Sequence, residues 1–76
     1  MIQSHTRTIT VDGEPAELSV IRNNGECWGR LVLPLGTLID VEASADLYGM
    51  ADEEALDALE VAAQDDQNCS PAQGWL

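Results

Sequence analysis

The chain has no lysine and no phenylalanine, and its only bases are three arginines, Arg7, Arg22 and Arg30. So sparse a set of cations cannot form the basic patch that neutralises a phosphate backbone, so direct nucleic-acid binding is not expected. With one histidine, His5, and no G-x-G-x-x-G or phosphate-loop motif, no catalytic constellation stands out. Adjacent carboxylates such as Asp52 and Glu53, or Asp65 and Asp66, occur on most acidic surfaces, and a chain this short rarely builds the cleft a glycosidase pair needs. "DDQNCS" has neither the spacing nor the glycine of a calcium loop. Cys27 and Cys69 lack C-x-x-C spacing and have only His5 for company, so free thiols are expected in preference to a zinc site or a disulfide. No enzyme activity, metal or cofactor follows from these residues.

Long apolar runs are missing as well. Nothing approaches the ~18 residues of a membrane span, and "MIQSHTRTITV" has neither the basic nor the apolar segment of a secretory signal. A cytoplasmic protein without membrane contact is expected. Seventy-six residues suffice for a single domain with a modest core.

Acid is abundant. Fourteen carboxylates give a net charge of −11. Residues 1–34 hold four of them and all three arginines, whereas residues 35–76 hold ten acids and no base. Such one-sided charge concerns partners more than fold: it repels nucleic acid and anionic membranes and attracts basic surfaces.

The first half of the chain alternates with the period of two that marks strands. "HTRTITV" (5–11) separates Thr6, Thr8 and Thr10 from Arg7, Ile9 and Val11, and "AELSVIR" (16–22) separates Leu18, Val20 and Arg22 from Glu17, Ser19 and Ile21. "DGEP" lies between them, and "NNGE" leads into a third strand, "CWGRLVLP" (27–34), with Trp28 read as core. Asp-Gly and Asn-Gly are strong hairpin signals. Residues 37–41, "TLIDV", read as a possible fourth strand, and about 44–49 as a short helix capped by Ser44 and closed by Gly49. Residues 51–64 form the clearest helix, with Ala55, Leu56, Leu59, Ala62 and Ala63 on one arc and Glu53, Asp57 and Glu60 on the opposite side, Glu54 beside them. Residues 65–76 read as an irregular tail ending in Trp75 and Leu76. The expected fold is α+β: a small three- to four-stranded antiparallel sheet packed against one C-terminal acidic amphipathic helix, plus a short helical turn.

The helix holds like charges at i,i+3 and i,i+4 where ordinary exposed helices mix signs. On this reading the row repels itself, and changing Glu53, Asp57 and Glu60 to Gln is expected to stabilise the isolated chain. The benefit would lie in a partner: a rigid row of carboxylates can occupy a groove shaped for phosphates, with fast, steered encounter. Asp46, Asp52, Glu53, Glu54, Asp57, Glu60, Asp65 and Asp66 are the candidate partner-binding residues, Asp40 and Glu42 can extend the row, and Val61 is a candidate apolar anchor. The three arginines fall on strands, where they can pair with acids of the same fold.

The size, the absence of lysine and of enzyme motifs, and the run Asp52, Glu53, Glu54, Asp57, Glu60, Asp65, Asp66 resemble the small acidic proteins that phages and mobile elements encode against host nucleic-acid machinery, among them anti-CRISPR proteins and uracil-DNA glycosylase inhibitors. That resemblance is one of overall character. It implies a class of action: inhibiting a basic nucleic-acid-binding protein or complex by charge mimicry of DNA or RNA. The alternatives are a phage or mobile-element assembly protein acting through oligomer contacts, and an antitoxin-like neutraliser of a basic partner. In the assembly reading those contacts run through an edge strand or the Trp75–Leu76 tail, and exposed strand edges in a chain this small make a homodimer a possible state.

Overall fold

A computed structural model describes residues 2–43 and 46–71. Five strands form one antiparallel sheet in sequence order: β1 (Ile2–Val11), β2 (Glu14–Asn23), β3 (Glu26–Val32), β4 (Leu38–Val41) and β5 (Cys69–Pro71). Between β4 and β5 the chain makes a 3-10 turn (Leu47–Gly49), the helix α1 (Asp52–Ala62) and a second 3-10 turn (Asp66–Asn68). No helix among the described residues is long and apolar enough to cross a membrane.

Both glycine signals become two-residue hairpin loops. Asp12 and Gly13 have φ of 51° and 81°, Asn24 and Gly25 of 51° and 86°. Positive φ at both loop positions is the type I′ turn, whose twist matches that of paired strands. These turns fix the registers Val11↔Glu14 and Asn23↔Glu26, and pairing then runs out to Ile2↔Asn23 and Glu17↔Val32. β1 accordingly starts three residues earlier than its alternation suggests. β3 stops at Val32, short of Pro34, because Gly36 N–H donates to Leu33 O (2.8 Å) and Gly36 has φ 86°. Residues 37–41 do contain a strand.

The sheet has two unlike faces. On one, Ile9, Ala16, Leu18, Val20, Leu31 and Val41 form a core with Ala55, Leu56, Leu59, Ala62 and Ala63 of α1. The helical arc inferred from periodicity is therefore the buried one. Leu18, Leu31, Leu56 and Leu59 are fully enclosed, each contributing about 1.5–3 kcal/mol by removal from water. On the other face the register sets Trp28 opposite Ile21 and Arg30 opposite Asp40. Trp28 is thus half-buried and stands outside the helix-side core, contrary to its assignment as core. Arg30 is 2% exposed and donates to Asp40 Oδ1 at 2.8 Å.

Two expectations for the second half need correction. The stretch taken as an irregular tail contains β5, which pairs Cys69 with Val41 and Pro71 with Ile39. Three residues ending in proline carry no alternation to detect, and proline is tolerated there because the strand lies at the sheet edge. The 3-10 turn is capped by Asp46, whose carboxylate accepts from Tyr48 N–H at 3.0 Å. Ser44, Trp75 and Leu76 lie outside the described residues.

Candidate partner-binding surface

The acids of α1 fall into groups with different surroundings. Glu53, Asp57 and Glu60, at i, i+4 and i+7, form one stripe along the helix, which leans over β1 instead of facing away from the sheet. Arg7 rises beneath them. Its Nη1 donates to Asp57 Oδ1 (2.7 Å) and Glu60 Oε1 (3.1 Å), and its Nη2 to Glu53 Oε2 (2.8 Å). His5, two residues along the same strand face, places Nε2 3.2 Å from Glu53 Oε1. The alternation that puts Ile9 on the helix side puts His5 and Arg7 there too. Because β1 is the outermost strand at this side of the sheet, these two side chains reach past the apolar contact to the helix flank.

Electrostatics follow the geometry. The three carboxylates, Asp57 foremost, hold Arg7 more firmly protonated than an ordinary arginine. Hydrogen bonds from Arg7 and then His5 hold the Glu53 carboxyl below the usual range. The stripe is therefore cross-linked by a cation, and the self-repulsion inferred from sequence is offset in part, one guanidinium facing three carboxylates. Removing its charges should no longer stabilise the fold, because the half-buried Arg7 would lose its three partners. Among the described residues no group of three or more side chains is arranged to hold a metal ion. Arg7 occupies the place a cation would take within this stripe.

Asp52 belongs to a second cluster. Arg22 Nε donates to Asp52 Oδ1 (3.2 Å), Nη2 to Met50 O (2.8 Å), and Nη1 to the carbonyls of Leu47 and Tyr48 (both 3.4 Å). One guanidinium so ties the 3-10 turn and the start of α1 to β2. Asp40, proposed as an extension of the row, lies on the opposite side of the sheet with Arg30 and does not join it.

The remaining candidates point outward. Glu54 is exposed near the crest of α1, as is Val61, which is 76% exposed. Asp65 and Asp66 continue past the helix end, and Asp65 also accepts from Gln67 N–H at 3.0 Å. Asp46 and Glu42 lie apart from the stripe, at a depression of about 320 Å³ that also includes Cys27, Trp28 and Tyr48. Burial pushes the Cys27 and Cys69 thiols up, and both cysteines are free.

The structure thus brings together Glu53, Asp57 and Glu60, sets Asp52 beside Arg22, and leaves Glu54, Asp65, Asp66 and Asp46 as separate exposed charges. The expected pairing of the strand arginines with acids of the same fold is found, but that His5, Arg7 and Gln64 belong to this surface was not read from the sequence; Gln64 Nε2 donates to the backbone carbonyl of Thr10 at 3.2 Å. A usable signal existed for Arg7: a lone cation on the apolar side of a strand, in a chain whose helix offers acids at i, i+4 and i+7. No protein-family model, curated protein or solved structure matches this chain.

Proposed function

We propose that this chain is an acidic interaction protein that inhibits a nucleic-acid-binding partner by occupying its basic surface. One observation carries the reading: each of the three arginines, the entire basic complement apart from His5, is engaged in an ion pair inside the molecule, at Glu53, Asp57 and Glu60, at Asp52, or at Asp40. The surface that a partner meets is therefore almost wholly anionic. Cross-linking by Arg7 also supports the reading, because carboxylates held at fixed spacing lose less side-chain entropy on binding than mobile ones. Glu54, Asp65 and Asp66 supply exposed charge at the crest and end of the helix, about 16 Å of regular scaffold in all. Val61 between them offers apolar area for contact.

Retention of proteins from a bacterial lysate, with washes of graded salt, tests this reading. A nucleic-acid-binding protein should be held at low salt and released as ionic strength rises. Glu54→Gln, Asp65→Asn and Asp66→Asn together should weaken retention while leaving the Arg7 cross-link intact. Retention indifferent to both salt and these three charges would refute the proposal.

A further inference from the structure

The hairpin geometry determines where the backbone of β1 points. In the type I′ turn at Asp12–Gly13, the Glu14 N–H bonds to Val11 O, so Val11 and Glu14 are a hydrogen-bonded pair. Antiparallel pairs alternate, so Ile9, Arg7, His5 and Gln3, opposite Ala16, Leu18, Val20 and Arg22, also turn their backbone groups toward β2. The intervening residues Ser4, Thr6, Thr8 and Thr10 turn theirs away from the sheet. Gln64 bears this out, since it reaches the outward Thr10 carbonyl from the end of α1. β1 is the sheet's first strand and nothing among the described residues pairs with its outer edge. From Ile2 to Thr8 this open edge runs about 20 Å, with no proline, glycine or bulge to blunt it.

What stands on either side of the edge defines the occupant. On the helix side, Glu53, Asp57 and Glu60 overhang it, three carboxylates against the single cation Arg7. On the other side stands an uncharged row of hydroxyls, Ser4, Thr6, Thr8 and Thr10, with Thr6 and Ser19 joined at 2.8 Å. A second copy of the chain fits poorly. Antiparallel pairing of two β1 strands about a twofold axis leaves both helices on one face, so two carboxylate stripes would confront each other across the seam.

We propose that the outer edge of β1 accepts an extended segment of the basic partner as a sixth strand, with lysine or arginine at every second position beside Glu53, Asp57 and Glu60 and small or β-branched residues beside the threonines. This inference rests on the acidic-surface reading above and specifies its mode: main-chain pairing gives affinity and the alternating cations give specificity. The sixth strand continues the antiparallel order of the sheet, where opposed residues share a face and exchange hydrogen bonds, so the segment's non-basic residues are those that hydrogen-bond to Ser4, Thr6 and Thr8.

The probe is a capped peptide of alternating lysine and threonine, about eight residues long to match the edge, compared with the same peptide N-methylated at its threonines. Charge is identical in the two; methylation replaces the main-chain donors that face the edge by methyl groups. Fluorescence anisotropy should show the unmodified peptide binding at least about tenfold more tightly, since each methyl group removes a main-chain donor to the edge. Amide exchange at Ser4, Thr6 and Thr8 should slow only with that peptide. Equal binding of both peptides without protection would overturn strand addition while leaving the acidic surface as the binding site. No binding of either, by a chain that still retains a salt-released partner, would likewise reject the edge and keep the broader reading. Protection of these amides by rising protein concentration alone would overturn the proposal in favour of self-pairing.

Discussion

α1 closes on the sheet at Gly29, and that contact yields a test with a defined magnitude. A Cβ placed on Gly29 would come within 2.6 Å of Leu59 Cδ2 and 2.9 Å of Cδ1. Real side chains do not approach so closely, so Leu59 would have to move. It is fully buried, and β3 lies between β2 and β4 with Gly29 paired to Val20 and Val41, so neither partner has room to withdraw. Overpacking of this kind costs about 1–3 kcal/mol, against a gain of about 0.4–1 kcal/mol from a less flexible unfolded chain. Gly29→Ala should therefore lose about 1–2 kcal/mol of a total near 4–11 kcal/mol for a chain of this length, lowering Tm by roughly 5–15 °C. Leu59→Ala alone should cost about 2–5 kcal/mol. In that background the methyl group at position 29 enters vacated space, and Gly29→Ala should become neutral or stabilising, a coupling of about 2 kcal/mol. Urea unfolding followed by circular dichroism gives all four corners of the cycle. Equal cost of Gly29→Ala with and without Leu59 would refute this packing and with it the placement of α1.

Three further outcomes follow from the ion pairs and thiols. Replacing Glu53, Asp57 and Glu60 together by Gln, Asn and Gln should lower Tm by leaving Arg7 without its carboxylates, whereas Glu54→Gln should leave Tm unchanged or raise it; a triple variant more stable than the wild type would restore the self-repulsion argument. Because the Glu53 carboxyl is held below its ordinary value of about 4.3 by Arg7 and His5, its contribution is fully present above that value and lost as pH falls through the lower folded value. Stability measured between neutral pH and pH ~3 should thus fall less steeply at the acid end in Glu53→Gln than in the wild type, and equal slopes would contradict the pairing. Burial raises both thiols, so Cys27 and Cys69 should alkylate slowly at neutral pH in the folded chain and rapidly in urea; fast labelling of the native protein would contradict their environments.

Local chemistry made most of the sheet legible. Asp12-Gly13 and Asn24-Gly25 can adopt positive φ at little cost, and the strands they join alternate cleanly, so the meander and its helix-facing residues follow from pattern. Leu56 and Leu59 likewise disclosed the buried arc of α1. The rest depends on contacts between distant residues. β5 exists because β4 presents an edge where the chain returns, and nothing within Cys69–Pro71 announces a strand. Arg7 lies 46 residues from Glu53 and 53 from Glu60, so helical spacing alone showed the like charges and not the cation set between them. The capping by Asp46 and the Arg30–Asp40 pair similarly required the register to be known first.

The most direct test of phosphate mimicry is displacement at constant ionic strength. The immobilised chain is loaded with the protein it retains from a lysate, and short duplex DNA is added at concentrations too low to change the salt. If the carboxylates of α1 and its C-terminal continuation occupy a nucleic-acid site, DNA should release the partner in proportion to its own affinity for that partner, and an equal charge of dissolved salt should release almost none. A partner that stays bound while also binding DNA would show that the acidic surface engages some other face, and the claim of mimicry would be wrong.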